Sequence, residues 1–308
     1  MEFARQLAPR CETLVIVARR VDRLEELAAT LRDQNPGLSV GVLTADLTVP
    51  EERDSMLRQL KEANLQPDLL VNNAGMGDYG EFADSDWDKV EAMIRLNVES
   101  LTALTHAMLP AMISGGGGSI IHVSSLASVL PIPDFAVYAA TKAYVTSFSE
   151  ALRLELREHG IRVTALCPGP VHTEFGEVAR RTQSGAESPF REAFYVQADQ
   201  VVREALEGVA CNRPRVYPGR IGAGLDSAGA APSGSGYPSA ALNPRGSALW
   251  LGRLKPALDE GVLLLFSCHL GHWTVTCEKK AAGVEFLPEV DRGCLGGLIS
   301  FSVRATTC

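Results

Sequence analysis

A tyrosine and a lysine, Tyr138 and Lys142, stand four residues apart near the start of a stretch with a helical pattern. This spacing places a phenol and an ammonium group on one helical face. A free tyrosine titrates at roughly pH 10, but a neighbouring positive charge stabilises the phenolate and lowers its pKa. The pair therefore predicts a general acid and base, although a tyrosine and a lysine at this spacing are also a common surface pair.

Further polar or turn-forming residues come directly after apolar runs that are typical of buried strands. Ser125 follows one such run, Asn73 to Gly75 follow another, and Pro168 and Gly169 follow a third. Open α/β sheets bind their ligands at the carboxyl ends of the strands. The sequence thus predicts that these residues meet at one edge of a sheet.

Short β-branched runs alternate with longer amphipathic stretches from the start of the chain to about residue 217. We predict strands at 13–18, 39–43, 69–71, 119–123 and 162–166, and helices at 21–32, 87–112 and 138–159. The strand runs are mostly apolar throughout, as expected for strands covered on both faces. The pattern predicts an α/β fold with a doubly wound parallel sheet of the Rossmann type.

Residues 2–217 resemble the short-chain dehydrogenase/reductase family. The resemblance rests on the order and spacing of Asp46, Asn73-Ala74-Gly75, Asn97, Ser125, Tyr138, Lys142 and Pro168-Gly169. It implies that Tyr138 exchanges a proton with the substrate oxygen while a hydride passes between nicotinamide and the carbonyl carbon. It also implies that Lys142 tunes the tyrosine, that Ser125 binds the substrate oxygen, and that Asn97 holds a water of a proton relay.

The same resemblance implies a set of cofactor-binding positions. Asp46 would lie at the adenine, and Asn73, Ala74 and Gly75 around the adenosine. Tyr138 and Lys142 would lie at the nicotinamide ribose, and Pro168, Gly169, Val171 and Thr173 at the carboxamide. The predicted strand 13–18 runs into Arg19 and Arg20. Arginine at this point suits the 2′-phosphate of NADP, so we expect NADP in preference to NAD; alternatively, both arginines only face solvent in a loop.

Two parts of the chain depart from the family pattern. Residues 1–8 are similar to the helix that follows the family's first strand and glycine-rich turn, which implies that this strand and the principal diphosphate site are missing. After residue 219 the sequence changes: residues 220–248 are rich in Gly, Ala, Ser and Pro, which predicts a linker or disorder. Residues 249–308 form an unassigned, irregular tail with apolar patches that could form a helix and a strand or two. A frame error or a fusion would explain residues 220–308. The predicted domain is therefore 1–219.

The composition of the chain limits the kinds of binding partner that we expect. The chain has 308 residues with 37 acidic and 29 basic side chains, a formal charge of −8, which argues against nucleic-acid binding. Its apolar runs are too short to span a membrane. The odd number of cysteines, seven, suggests reduced thiols and a cytoplasmic location. We predict no metal site, because the spacing of Cys268, His269, His272 and Cys277 matches a zinc finger poorly.

The loop 126–135 is almost wholly apolar. In the family this loop contacts the substrate, so we expect a hydrophobic ketone or secondary alcohol and not a sugar. The resemblance also implies a homodimer or homotetramer formed through the helices around Asn97 and Tyr138. Two functions remain open: an NADP-dependent carbonyl reductase, or a non-catalytic relative that lacks a competent cofactor site.

Overall fold

The computed structural model describes residues 1–179, 195–219 and 263–267. Within these residues, seven strands form one sheet: β1 Thr13–Ala18, β2 Ser39–Thr44, β3 Leu69–Asn72, β4 Gly118–Val123, β5 Ile161–Leu166, β6 Arg215–Val216 and β7 Leu263–Ser267. The helices in the same ranges are α1 Glu2–Leu7, α2 Val21–Gln34, α3 Pro50–Glu62, α4 Trp87–Ile94, α5 Leu101–Ser114, α6 Ala136–Glu155, α7 Phe175–Ala179 and α8 Ala198–Ala210. The strand order is β2-β1-β7-β3-β4-β5-β6. The predicted α/β, Rossmann-like fold is confirmed.

Helices cover both faces of the sheet, and β1 shows how the sequence produces this arrangement. Leu14 and Ile16 pack with α1, α2 and α8 on one face, whereas Val15 and Val17 pack with α3, α5 and α6 on the other. Successive side chains of a strand point to opposite faces. A strand buried on both faces therefore needs apolar residues at every position, and this is the continuous pattern seen in the sequence.

The strand β7 departs most from the sequence-based expectations. Leu265 pairs with Val15 of β1 and with Leu70 of β3, and β7 runs antiparallel to both neighbours. The sheet position expected to lack its strand is thus filled by a segment of the tail that we expected to be irregular. The physical reason is the backbone: β1 and β3 would otherwise each present an unpaired row of N–H and C=O groups to the sheet interior. The linker and the rest of the tail lie outside the described residues.

The long predicted helix 87–112 is in fact three consecutive segments. A π-helical segment, Arg95–Ser100, separates α4 from α5 and contains Asn97. Such segments are rare and occur frequently at functional sites. The periodic apolar pattern continues across the whole stretch, so it could not reveal this local change in winding.

Buried polar contacts fix α6 against the sheet. Ser124, just after β4, donates from its hydroxyl to the backbone oxygen of Lys142 at 2.8 Å and lies 2.7 Å from the Thr146 hydroxyl. One turn further along, His122 Nδ1 lies 2.8 Å from the Ser149 hydroxyl, and burial lowers the pKa of His122 to about 3. The imidazole is therefore neutral and joins helix to strand. These contacts set the height of α6 above the carboxyl edge of the sheet.

Candidate active site

The first turns of α6 present Tyr138 and Lys142 at the carboxyl edge of the sheet. Both side chains are buried, with Tyr138 8% and Lys142 3% exposed. The Lys142 ammonium donates to the backbone oxygen of Val123 at the end of β4 (2.8 Å) and lies 5.7 Å from the centroid of the Tyr138 ring. This burial excludes the surface-pair interpretation of the two residues.

Asn97 lies beside this pair and connects three elements. Its Oδ1 accepts from the backbone N–H of Met76 (2.9 Å), and its Nδ2 donates to the Met76 oxygen (2.9 Å) and to the Thr141 hydroxyl (3.0 Å). Gly75 is in close contact with the same group, since a Cβ at this position would lie 3.3 Å from both Asn97 Oδ1 and Lys142 Nζ. The Asn97 amide thus binds the loop after β3 to the helix that carries the tyrosine.

Ser125 completes this cluster. It caps the 3-10 helix Leu126–Val129, where its hydroxyl accepts from the backbone N–H of Ala127 at 3.1 Å. It also acts on Tyr138, where it lowers the pKa of the phenol against the effect of burial. We call Asn97, Ser125, Tyr138 and Lys142 the tyrosine end of the site. The structure brings together all four residues that the sequence predicted to be catalytic.

Burial dominates the charge state of the tyrosine end. Burial raises the pKa of Tyr138 to about 12, against the hydrogen bond of Ser125, which lowers it. Burial likewise lowers the pKa of Lys142 to about 8. Desolvation of the phenolate thus sets the direction of the Tyr138 pKa shift in this structure, and the lowering of this pKa by Lys142 stays a prediction. At neutral pH, Tyr138 is a neutral phenol that can donate a proton.

A cavity of about 970 Å³ joins the tyrosine end to the start of α2. Its walls come from the carboxyl ends of β1, β4 and β5, from the loop after β3, and from α1, α2 and α7. Predicted residues that line it are Arg20, Asn73, Gly75, Ser125, Tyr138, Lys142, Pro168, Gly169, Val171 and Thr173. Among the described residues, Arg19, Asp46, Ala74 and Asn97 were predicted site residues that do not line it.

Charged side chains form the far end of this cavity, and we call Arg20, Arg23 and Glu174 the arginine end. Arg23 Nη1 lies 3.1 and 3.3 Å from the two Glu174 carboxylate oxygens, and Arg20 Nη2 lies 4.0 Å from one of them. Arg19 instead pairs with Asp46 at 3.4 Å. Burial would raise the pKa of Asp46, but hydrogen bonds from Thr48 and the Arg19 charge hold it below its ordinary value.

The loop after β5 closes one side of the cavity. Pro168 accepts from the backbone N–H of Leu126 at 2.8 Å, and Val171 forms a parallel bridge with Val196. The Thr173 hydroxyl accepts from the Phe175 N–H at the start of α7 (3.3 Å). Phe175 packs on Tyr138, with ring centroids 5.6 Å apart. This loop therefore reaches both ends of the cavity.

Sequence reasoning missed several cavity residues. Arg23 stands three positions after Arg20, a helical spacing that could have pointed to a shared face. The aromatic residues Tyr79, Phe135 and Phe175 carry no motif, because they come from three separate segments of the chain and meet only when it folds. One feature of the sequence could have pointed to the strand β7: residues 262–266 form an unbroken run of Val, Leu and Phe.

The residues fit a nicotinamide nucleotide in part. The cavity has cationic side chains at one end and a phenol, an ammonium group and a serine hydroxyl at the other, which suits a phosphate-bearing cofactor next to a carbonyl substrate. However, β7 is antiparallel to β1, so its carboxyl end lies at the opposite edge of the sheet from the cavity. It therefore supplies no strand-to-helix turn for a diphosphate, in contrast to the family pattern.

In the described portion of the chain, no helix is long and apolar enough to cross a membrane. The same residues contain no group of three potential metal ligands, and the Cys268–Cys277 cluster considered above lies outside them.

Comparisons with known proteins agree with this site. The sequence profile of the short chain dehydrogenases matches residues 1–184. The chain is 38% identical over 205 residues to sulfoacetaldehyde reductase 2 of Chromohalobacter salexigens, which covers 64% of this chain and 79% of that protein. It is 30% identical over 207 residues to the very-long-chain 3-oxoacyl-CoA reductase of Rattus norvegicus, covering 65% and 64% of the two chains.

Solved structures show the same fold. A short-chain dehydrogenase from Sphingobium yanoikuyae, in complex with NADPH, superposes with a TM-score of 0.64 at 33% identity, over 74% of this chain and 87% of that one. The bulky-bulky ketone specific alcohol dehydrogenase from Comamonas testosteroni gives 0.61 at 29% identity, over 74% and 86%. The chain belongs to the short-chain dehydrogenase/reductase family. It is an NAD(P)-dependent oxidoreductase that acts on CH–OH groups.

Proposed function

We propose that this protein is an NADP-dependent reductase that interconverts a hydrophobic ketone and its secondary alcohol. The observation that carries the proposal is the continuous cavity from the arginine end to Tyr138. A cationic end favours a nucleotide with an additional phosphate. The buried phenol at the other end favours proton exchange with a carbonyl oxygen. The NADPH bound to the Sphingobium relative agrees with this preference.

In the reductive direction, Tyr138 donates its proton to the substrate oxygen, where negative charge develops as the carbonyl is reduced. Nicotinamide, when bound, supplies the hydride to the carbonyl carbon. Ser125 donates a hydrogen bond to the same oxygen and so stabilises the transition state. With a pKa of about 8, Lys142 is mostly charged at neutral pH and stabilises the phenolate left behind.

Asn97 holds the loop after β3 and the Thr141 hydroxyl in place and thereby positions the helix turn of Tyr138 and Lys142. Its predicted role in binding a relay water stays a prediction. Asn73, Gly75 and the residues from Pro168 to Thr173 would contact the cofactor between the two ends of the cavity. We propose that Ala74, Asp46 and Arg19 contribute to cofactor binding although they do not line the cavity.

The wall of the cavity next to Tyr138 favours a hydrophobic substrate. Tyr79 and Phe135 have ring centroids 4.9 Å apart, Phe135 and Tyr138 are 5.1 Å apart, and Phe175 continues the series. Together with Ile132 these rings line the cavity next to the reactive phenol. Such a wall buries apolar surface of a substrate and offers few partners to sugar hydroxyls.

The test is cofactor binding and turnover by the full chain. NADPH and NADH are titrated by fluorescence, and loss of the reduced nicotinamide is followed with an aryl ketone, an aliphatic ketone and a keto sugar. We expect tighter binding of NADPH and the highest rate with a hydrophobic ketone. If neither nucleotide binds at millimolar concentration, the chain is the non-catalytic relative, which the reversed direction of β7 would then explain.

We also propose self-association through α5 and α6. Ile113 on α5 and Tyr144 and Leu154 on α6 are large hydrophobic side chains that are 38%, 39% and 63% exposed. Burying them against a second copy would remove apolar surface from water. Sedimentation velocity should show a dimer or tetramer; a monomer at micromolar concentration would contradict this.

A further inference from the structure

The loop after β3 is hydrogen-bonded to two segments that carry aromatic residues of the cavity. The Tyr79 N–H donates to the backbone oxygen of Ala179, the last residue of α7 (2.7 Å). The Gly80 N–H donates to the backbone oxygen of Asp134, which directly precedes Phe135 (2.9 Å). One loop thus fixes the position of both α7 and the segment before α6.

Phe175, the first residue of α7, also packs directly on the backbone of this loop. A Cβ at Gly77 would lie 2.9 Å from Phe175 Cζ and 3.3 Å from Ala179 Cβ. The first distance is shorter than a van der Waals contact between carbon atoms, so only glycine lets the ring come this close. Gly77 is buried and does not line the cavity, whereas Phe175 does. The ring therefore lies between the Gly77 backbone and the cavity.

The rings of Phe135 and Phe175 both contact the ring of Tyr138. Their centroids lie 5.1 and 5.6 Å from its centroid, with interplanar angles of 59° and 46°. Aromatic pairs prefer centroid distances in this range and avoid a direct face-to-face arrangement. All three rings line the cavity. A substrate whose carbonyl oxygen meets the Tyr138 hydroxyl therefore places at least one of its substituents next to aromatic side chains.

We propose that Phe175, held in place by Gly77, determines substrate specificity, and that the preferred substrate is a ketone with an aryl group next to the carbonyl. A flat aryl ring can form a further aromatic pair with Phe175, whereas a puckered saturated ring of the same size cannot. Gly77 sets how far the Phe175 ring extends into the cavity. The aryl preference rests on the proposed reduction of hydrophobic ketones and adds a substrate class and two residues that decide it.

The test compares acetophenone with cyclohexyl methyl ketone, which share a carbon skeleton but carry a flat and a puckered ring. With the full chain and NADPH, we expect a KM about three- to tenfold lower for acetophenone. Phe175→Leu keeps an apolar side chain but loses the ring, so it should abolish this difference by raising the KM for acetophenone, with little change in kcat. Phe82→Leu is the matched control, because Phe82 is 58% exposed and does not line the cavity. It should keep the preference.

A second set of variants tests the contact between Gly77 and Phe175. Gly77→Ala should push the ring into the cavity and lower kcat/KM for both ketones about tenfold. In the Phe175→Leu background the same substitution should have little effect, because the smaller side chain leaves room for the methyl group. Gly41→Ala on β2 is the control, since its Cβ would make only ordinary contacts with Val15. NADPH affinity should stay unchanged in every variant.

Three results would each overturn the aryl preference or its cause. These are a KM for acetophenone no lower than that for cyclohexyl methyl ketone, a preference that survives Phe175→Leu, and equal effects of Gly77→Ala with and without the Phe175 ring. Saturation-transfer NMR of both ketones on the full chain separates this inference from the proposed function. An inactive chain that binds acetophenone more strongly, and loses this preference in Phe175→Leu, refutes only the proposed function. An active chain whose preference ignores Phe175 refutes only this inference.

Discussion

The tyrosine end of the cavity is built from buried side chains on adjacent elements, whereas the arginine end is built from half-exposed charges on distant segments. Asn97, Tyr138 and Lys142 are each less than 9% exposed and are held by short contacts with β4, with α6 and with the loop after β3. Arg23 and Glu174 are about 40% exposed and are held by their mutual ion pair and by the longer one between Arg20 and Glu174. Exposed ion pairs contribute little to stability, about 0–1 kcal/mol.

The difference in burial between the two ends of the cavity matches the different tasks that we propose for them. Proton transfer needs a fixed geometry and a perturbed pKa, and both follow from burial. A charged side chain that binds a phosphate must first give up its ion-pair partner. This exchange is easier where water screens the ion pair. The following predictions test whether the two ends are independent in this way.

The largest effect is expected for Tyr138→Phe. Loss of the proton donor should lower turnover about 10²–10⁴-fold, while NADPH affinity and the melting temperature stay close to those of the original protein. Tyr144→Phe is the matched control, since it removes a phenol from the same helix whose hydroxyl contacts Thr102 at 3.0 Å. Turnover that survives Tyr138→Phe, or a loss equal to that of Tyr144→Phe, would refute the acid–base role.

The second prediction concerns β7, which lies between the strands that carry the two ends. Leu265→Pro removes a backbone donor from a strand paired on both sides, so it should destabilise the fold by about 3 kcal/mol or more. Leu265→Val keeps the donor and suits a strand, and it should have little effect. The measurement is chemical denaturation. Equal free energies of unfolding for the two variants would show that β7 does not contribute to the sheet.

The third prediction uses the pKa of Lys142. The folded value of about 8 lies below the ordinary value of 10.5, so between these pH values the unfolded chain binds more protons than the folded one. The free energy of unfolding should therefore increase as pH rises from 8 towards 10, by up to about 3 kcal/mol. In Lys142→Met this increase should be absent. Denaturation curves of both proteins at several pH values provide the comparison. If the free energy of unfolding changes with pH in the same way in both, burial does not lower the pKa of Lys142.

The smallest effect is expected for Gly75→Ala. Its Cβ would lie 3.3 Å from Asn97 Oδ1 and Lys142 Nζ, so both groups must shift by a few tenths of an ångström. We expect a loss of about 1 kcal/mol in stability and a clear decrease in turnover. Gly41→Ala on β2 is the control, because its Cβ would make only ordinary contacts with Val15. If both variants retain full activity, the tyrosine end is less tightly packed than the distances indicate.

Much of the tyrosine end could be predicted from the sequence. Tyr138 and Lys142 lie on one helix, and Ser125 directly follows a strand, so local periodicity and strand ends are sufficient to bring them together. The arginine end could be predicted only in part. Of the two arginines predicted to bind the cofactor, Arg20 lines the cavity and Arg19 does not, because Arg19 pairs with Asp46 in the loop after β2. Glu174, the partner of Arg23, lies more than 150 residues further along the chain, so no local sequence pattern could predict this pair.

The amino-acid sequence by itself determined the alternation of strands and helices, the family and the positions of the polar residues at the strand ends. These features depend on contacts within a few residues or on periodic burial, and both follow directly from the order of the residues along the chain. Only the tertiary structure decided that Tyr138 is a neutral phenol, that Glu174 lies on Arg23, and that β7 fills the gap between β1 and β3. Each depends on desolvation, charge or backbone pairing between segments that are distant along the chain and meet only when it folds.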